Sequence, residues 1–89
     1  SIENKKDLIE IKEELEDRFS DIPRSVSILL KIAYIKTLCK KLKIEKVRQI
    51  NNEIILLPLT RYKTKNNSYK IVDELEELLE NIIKTKAGE

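Results

Sequence analysis

Residues 17–44 read DRFSDIPRSVSILLKIAYIKTLCKKLKI: a charged segment runs into a proline, then through one of the most apolar parts of the chain, and ends among lysines. Proline disfavours helical geometry at Ile22 and carries a φ suited to starting a new helix, so one helix stops near Phe19 and another begins at Arg24. Ser20 or Asp21 is placed to cap the second helix. From Arg24 to Leu42 the apolar positions, among them Val26, Leu29, Ile32, Ile35, Leu38 and Leu42, reach nearly all round the helical wheel. Such a pattern predicts a central, mostly buried helix. In this reading Phe19 plugs the angle between the two helices and Pro23 fixes it.

Working outward, Asn4 caps a helix over Lys5 to Phe19, with Asp7 as the return half of a capping box and Leu8, Ile11, Leu15 and Phe19 at helical spacing. The opposite face carries Lys6, Glu10, Glu13, Glu14, Asp17 and Arg18, in which Lys6/Glu10 and Glu14/Arg18 are i,i+4 pairs worth a few tenths of a kcal/mol each. Downstream, Lys36, Lys40, Lys41 and Lys43 complement the negative end of the second helix's dipole. Ile44–Ile50 and Glu53–Leu57 are rich in β-branched residues and flank Asn51-Asn52, a pair that tolerates left-handed turn geometry, so a β-hairpin is expected. Pro58 cannot donate a ladder hydrogen bond and should end the second strand or place it at an edge. Thr60–Asn67 reads as a basic loop with room for a short strand around Arg61–Thr64. Ser68 is placed to cap a last helix with an apolar stripe of Ile71, Leu75, Leu78, Leu79, Ile82 and Ile83, acids in its early turns and Lys84 and Lys86 at its end. The expected fold class is α+β: two N-terminal helices at an angle, a β-hairpin or small antiparallel sheet, and a C-terminal amphipathic helix over the sheet or the second helix.

Eighty-nine residues, 40% of them hydrophobic and 38% charged, suit a single soluble domain over residues 1–89. One cysteine excludes an intrachain disulfide, and without histidine the usual zinc sites cannot be assembled, so no metal is expected. Cys39 belongs to the apolar set and reads as a packed, inert thiol. The missing histidine also removes the usual general base near neutral pH, and the sole glycine, Gly88, lies at the tail, where no phosphate-cradling loop can form. The carboxylates fall at the spacing of a solvated helix face. Neither enzyme, catalytic residue nor cofactor is indicated. No apolar run approaches the roughly 20 residues needed to span a bilayer, and Glu3, Lys5, Lys6 and Asp7 stand where a signal peptide would be apolar, which places the chain in the cytoplasm and off membranes.

Charge is uneven. Residues 1–22 hold eight acids and four bases, residues 23–70 two acids and twelve bases, and residues 71–89 six acids and two bases. A basic middle suits either a nucleic-acid surface or mutual neutralisation within the fold. The only aromatics are Phe19, Tyr34, Tyr62 and Tyr69, and two of these read as core, which disfavours a base-stacking platform.

Asp17, Arg18, Phe19 and Pro23, followed by Val26, Leu29, Leu30, Ile32, Ala33, Lys36, Leu38, Lys40, Lys41, Leu42 and Ile44 and then a hairpin, make up a pattern that resembles the C-terminal TRCF domain of bacterial transcription-repair coupling factors of the Mfd kind. The resemblance is strong over residues 2–57 and implies that the chain is a piece excised from the C-terminus of a multidomain protein. Three departures stand out: Ser20 and Lys43 occupy positions where the family usually has glycine, and the connection from hairpin to last helix is short. The resemblance implies a non-catalytic regulatory role, with an ATP-driven DNA translocase upstream in the parent chain. There, the domain packs on an N-terminal UvrB-like module and hides the surface that recruits UvrA until RNA polymerase is engaged. Glu14, Asp17 and Arg18 stand at i, i+3 and i+4 and share one face, so they are the candidate partner-binding residues: two carboxylates to accept from a partner's arginines and one guanidinium for a bidentate return contact. The competing reading has Glu14 and Arg18 satisfying each other while Asp17 supports the corner. A nucleic-acid module built on the basic segment, and an oligomerisation domain using the last helix, are the alternatives in function.

Overall fold

The computed structural model describes residues 2–64 and 70–87. The elements are α1 (Lys5–Phe19), α2 (Arg24–Leu42), β1 (Lys46–Ile50), β2 (Glu53–Leu57), β3 (Thr60–Lys63) and α3 (Lys70–Ala87), an α+β arrangement as the patterning predicts. At the start of α1 the Asn4 side chain accepts from the Asp7 N–H at 2.9 Å, and the Asp7 carboxylate accepts in return from the Glu3 N–H, one residue upstream of the expected partner, at 3.0 Å.

The corner between α1 and α2 is made by backbone, not by an aromatic plug. Asp21 N–H donates to the Phe19 carbonyl at 2.8 Å across Ser20, which sits at φ 65° and ψ −77°. Those values and that bond define a γ-turn of the strained sign. Pro23 then occupies the N-cap itself, and its carbonyl accepts from the Val26 and Ser27 N–H groups at 3.1 Å. Neither Ser20 nor Asp21 caps α2 as expected, because proline stands directly before Arg24 and leaves both side chains upstream of the first-turn donors. Phe19 is 66% exposed, so the expected plug is absent: α1 has run past the body of the protein by its last turn.

The far end of α2 closes with Lys43 in the left-handed region (φ 59°, ψ 35°). Lys43 N–H donates to the Lys40 carbonyl at 3.2 Å and Ile44 N–H to the Cys39 carbonyl at 2.9 Å, the paired bonds of a Schellman motif. Ile44 is thereby turned into the core and the chain is aimed into β1.

The three strands form an antiparallel sheet in the order β1-β2-β3, with Val47 opposite Leu56 and Ile54 opposite Tyr62. Asn51 takes φ 54° in the hairpin turn, the geometry asparagine tolerates. Pro58 ends β2, which is the central strand and not an edge. Along β2 the alternation is clean: Ile54 and Leu56 are buried, while Glu53, Ile55 and Leu57 face outward. β3 fulfils the expectation of a short strand after the hairpin; the proposed Ser68 cap lies outside the described residues.

α3 lies along α2 in the same direction, with Asp73 and Glu76 beside Lys31 and Glu80 beside Tyr34. The buried residues of α2 are Tyr34, Ile35, Leu38 and Leu42, all in its C-terminal half, where they meet Leu8 of α1, Leu56 of β2 and Leu79 of α3. Toward the corner α2 loses its cover, and Leu29 is 64% exposed. The all-round apolar helix is therefore buried at one end only, because the sheet and α1's anchored half both gather at the other. No helix among the described residues is long and apolar enough to cross a membrane.

Candidate docking site on the first helix

α1 is anchored by its N-terminal half. Ile2 and Leu8 are buried, the Thr37 hydroxyl donates to the Ile2 carbonyl at 2.6 Å, and Lys41 Nζ reaches the Glu3 carbonyl at 3.1 Å. Lys5 then bridges to α3. Its Nζ lies 3.2 Å from Glu76 Oε2, 3.5 Å from Glu80 Oε2 and 5.2 Å from the centre of the Tyr34 ring. Glu76 is buried, and Lys31 stands 3.9 Å from its other oxygen while pairing with Asp73. Lys5 balances the Glu76 charge without meeting hydrogen-bond geometry at Oε2. Tyr34 donates to Glu80 Oε2 at 2.7 Å, and burial first, then the bond and charge of Glu80, then the charge of Glu76, push its phenol well above the usual tyrosine range.

The C-terminal half of α1 has no such ties. Glu14, Asp17 and Arg18 are all exposed there on one face. Arg18 Nη2 lies 3.4 Å from Glu14 Oε1, with both side chains about two-thirds exposed (69% and 65%). A pair so placed is screened and easily exchanged for other partners. Phe19, which the helical period assigns to the interior, projects into solvent from the opposite face of the same last turns. Its period matches Leu8, Ile11 and Leu15, and only the helix's overhang past the body, invisible to periodicity, separates it from them. A helix end with two carboxylates and a guanidinium on one exposed face can make charge-assisted contacts with a partner. Among the described residues no cluster of metal-ligating side chains is present.

A family model for the TRCF domain matches residues 1–70. The chain belongs to the TRCF domain family. The match takes in α1, α2 and the whole sheet and reaches the first residue of α3. No curated protein and no solved structure matches the chain. Membership gives this TRCF domain a role in transcription-repair coupling as a non-catalytic domain. Ser20 and Lys43, where the resemblance leads one to expect glycine, both hold positive φ.

Proposed function

We propose that this TRCF domain is an autoinhibitory cap. Within a cytoplasmic coupling factor, Glu14, Asp17 and Arg18 dock on a basic, apolar-centred patch of the UvrB-like N-terminal module and mask its UvrA-recruiting surface until RNA polymerase is engaged. The observation that carries this reading is the C-terminal end of α1, where the three charged groups share one exposed face. A contact within one chain acts at an effective concentration on the order of 1 mM, so a dissociation constant of about 10 µM leaves roughly one molecule in a hundred open. Polymerase engagement then has to oppose about 2.7 kcal/mol to unmask the site.

The test is charge reversal, Glu14→Lys with Asp17→Lys, in a coupling factor carrying this domain. UvrA binding without polymerase should rise, by up to roughly a hundredfold if the latch closes as tightly as above. Binding that stays at the wild-type level means that this face is not the lock.

A further inference from the structure

β1 is an edge strand, and all five of its residues are exposed. In an antiparallel ladder alternate N–H and C=O groups of an edge strand point away from its partner, so β1 presents unpaired backbone along its free side. Against the start of this strand runs an apolar groove of about 460 Å³ between β1, the C-terminal half of α2 and α3. Ile32, Ile35, Cys39, Val47, Val72 and Leu75 form its walls, and Lys36 and Lys40 stand at its rim, with Glu45 the one acid among the described lining residues. Val47, on the core-facing side of β1, remains 40% exposed because the groove lies open over it. On the other side of the sheet Lys46 and Arg48 point outward in register with Leu57 and Ile55. None of Lys36, Lys40, Lys46 and Arg48 makes an ion pair with another described residue.

We propose that β1 and the groove beside it form a second docking site, which accepts an extended acidic segment of a partner protein as a fourth strand. Successive side chains of such a strand alternate between the faces of the sheet. Apolar residues at one set of positions would enter the groove beside Val47, and carboxylates at the other set would lie across from Lys46 and Arg48. Main-chain pairing supplies affinity and the alternating side chains supply selectivity. The charges decide the occupant. Pairing β1 with β1 of a second copy sets Lys46 and Arg48 against themselves, and pairing it with β3 sets them against Arg61 and Lys63, so self-association is disfavoured. A nucleic acid would use the cations but not the apolar walls, and among the described residues no aromatic side chain lines the groove to stack on a base. The site is independent of the latch: Lys36 lies roughly 18 Å along α2 from Arg24 at the corner.

Cys39, the only cysteine, lies in the groove wall and reports on its occupancy. The probe is a labelled seven-residue peptide alternating glutamate and valine, added to the 89-residue chain. Anisotropy should show saturable binding with a dissociation constant on the order of 10–100 µM, and saturating peptide should slow alkylation of Cys39 several-fold while shifting the β1 amide resonances. A peptide of the same composition with its valines grouped together, and the Lys46→Glu/Arg48→Glu variant with the original peptide, should each bind roughly tenfold more weakly. Both substituted residues are exposed, so the variant should fold, and its circular dichroism checks this. Absence of binding at about 1 mM, equal binding of the grouped peptide, unchanged Cys39 alkylation, or tighter binding of a random DNA duplex than of the peptide would each overturn the proposal.

Discussion

Ser20 and Lys43 show how much a single backbone angle decides here. Each holds positive φ with a side chain attached, a geometry that costs a non-glycine residue about 1 kcal/mol. Ser20→Gly and Lys43→Gly should each raise stability by about 0.5–1 kcal/mol after the extra unfolded-state entropy of glycine is counted, measurable by urea denaturation. Tyr34 offers a test of the network that anchors α1. Its hydroxyl bond to Glu80 is partly buried, and Tyr34→Phe should cost about 1 kcal/mol near neutral pH. Because the folded-state pKa is raised, the folded protein favours the neutral phenol. That contribution is complete below the unfolded tyrosine value of about 10 and is lost as pH climbs through the folded-state value. Wild-type stability should therefore fall more steeply than that of Tyr34→Phe above about pH 10. Cys39 follows the same physics: burial pushes its thiol up, in keeping with a packed side chain of low reactivity.

At the scale of elements, periodicity and punctuation located every helix and the hairpin. Pro23 marked one boundary, Asn51-Asn52 another and Pro58 a third, and the Leu75, Leu79 and Ile82 stripe of α3 faces the core as its spacing requires. What periodicity could not carry is how far each helix extends beyond the body. Phe19 and Leu29 share the apolar pattern of buried neighbours yet lie in solvent, because cover is a property of where the sheet and α3 end, which is a tertiary fact. The distinction can be measured. Leu56, fully buried in the central strand, should cost about 2–5 kcal/mol when cut to alanine. Phe19→Ala should cost less than about 0.5 kcal/mol, an order of magnitude below what a plug would cost. Of the candidate docking site, the shared face of Glu14, Asp17 and Arg18 was legible from spacing alone, while the exposure of Phe19 was not.

Over the whole molecule the uneven charge resolves into two parts. Some of the basic middle is neutralised internally, since Lys31 meets Asp73 and Glu76 of the acidic last helix. Lys5 of α1 does the same with Glu76 and Glu80. Much of the remainder lies on α2's last turns and β1, away from the acidic end of α1, so the domain carries an acidic tip and a basic edge on separate surfaces. In the proposed function the tip is the one that matters for inhibition, and an intramolecular latch should be reproducible between molecules at sufficient concentration. The most direct measurement adds this chain in trans to a coupling factor lacking its C-terminal domain and follows UvrA recruitment. With a dissociation constant near 10 µM, recruitment should fall by about half at about 10 µM of added chain, and the Glu14→Lys/Asp17→Lys chain should leave it untouched. Recruitment that is unaffected by the wild-type chain at tenfold that concentration, or equally lowered by both chains, would contradict the latch.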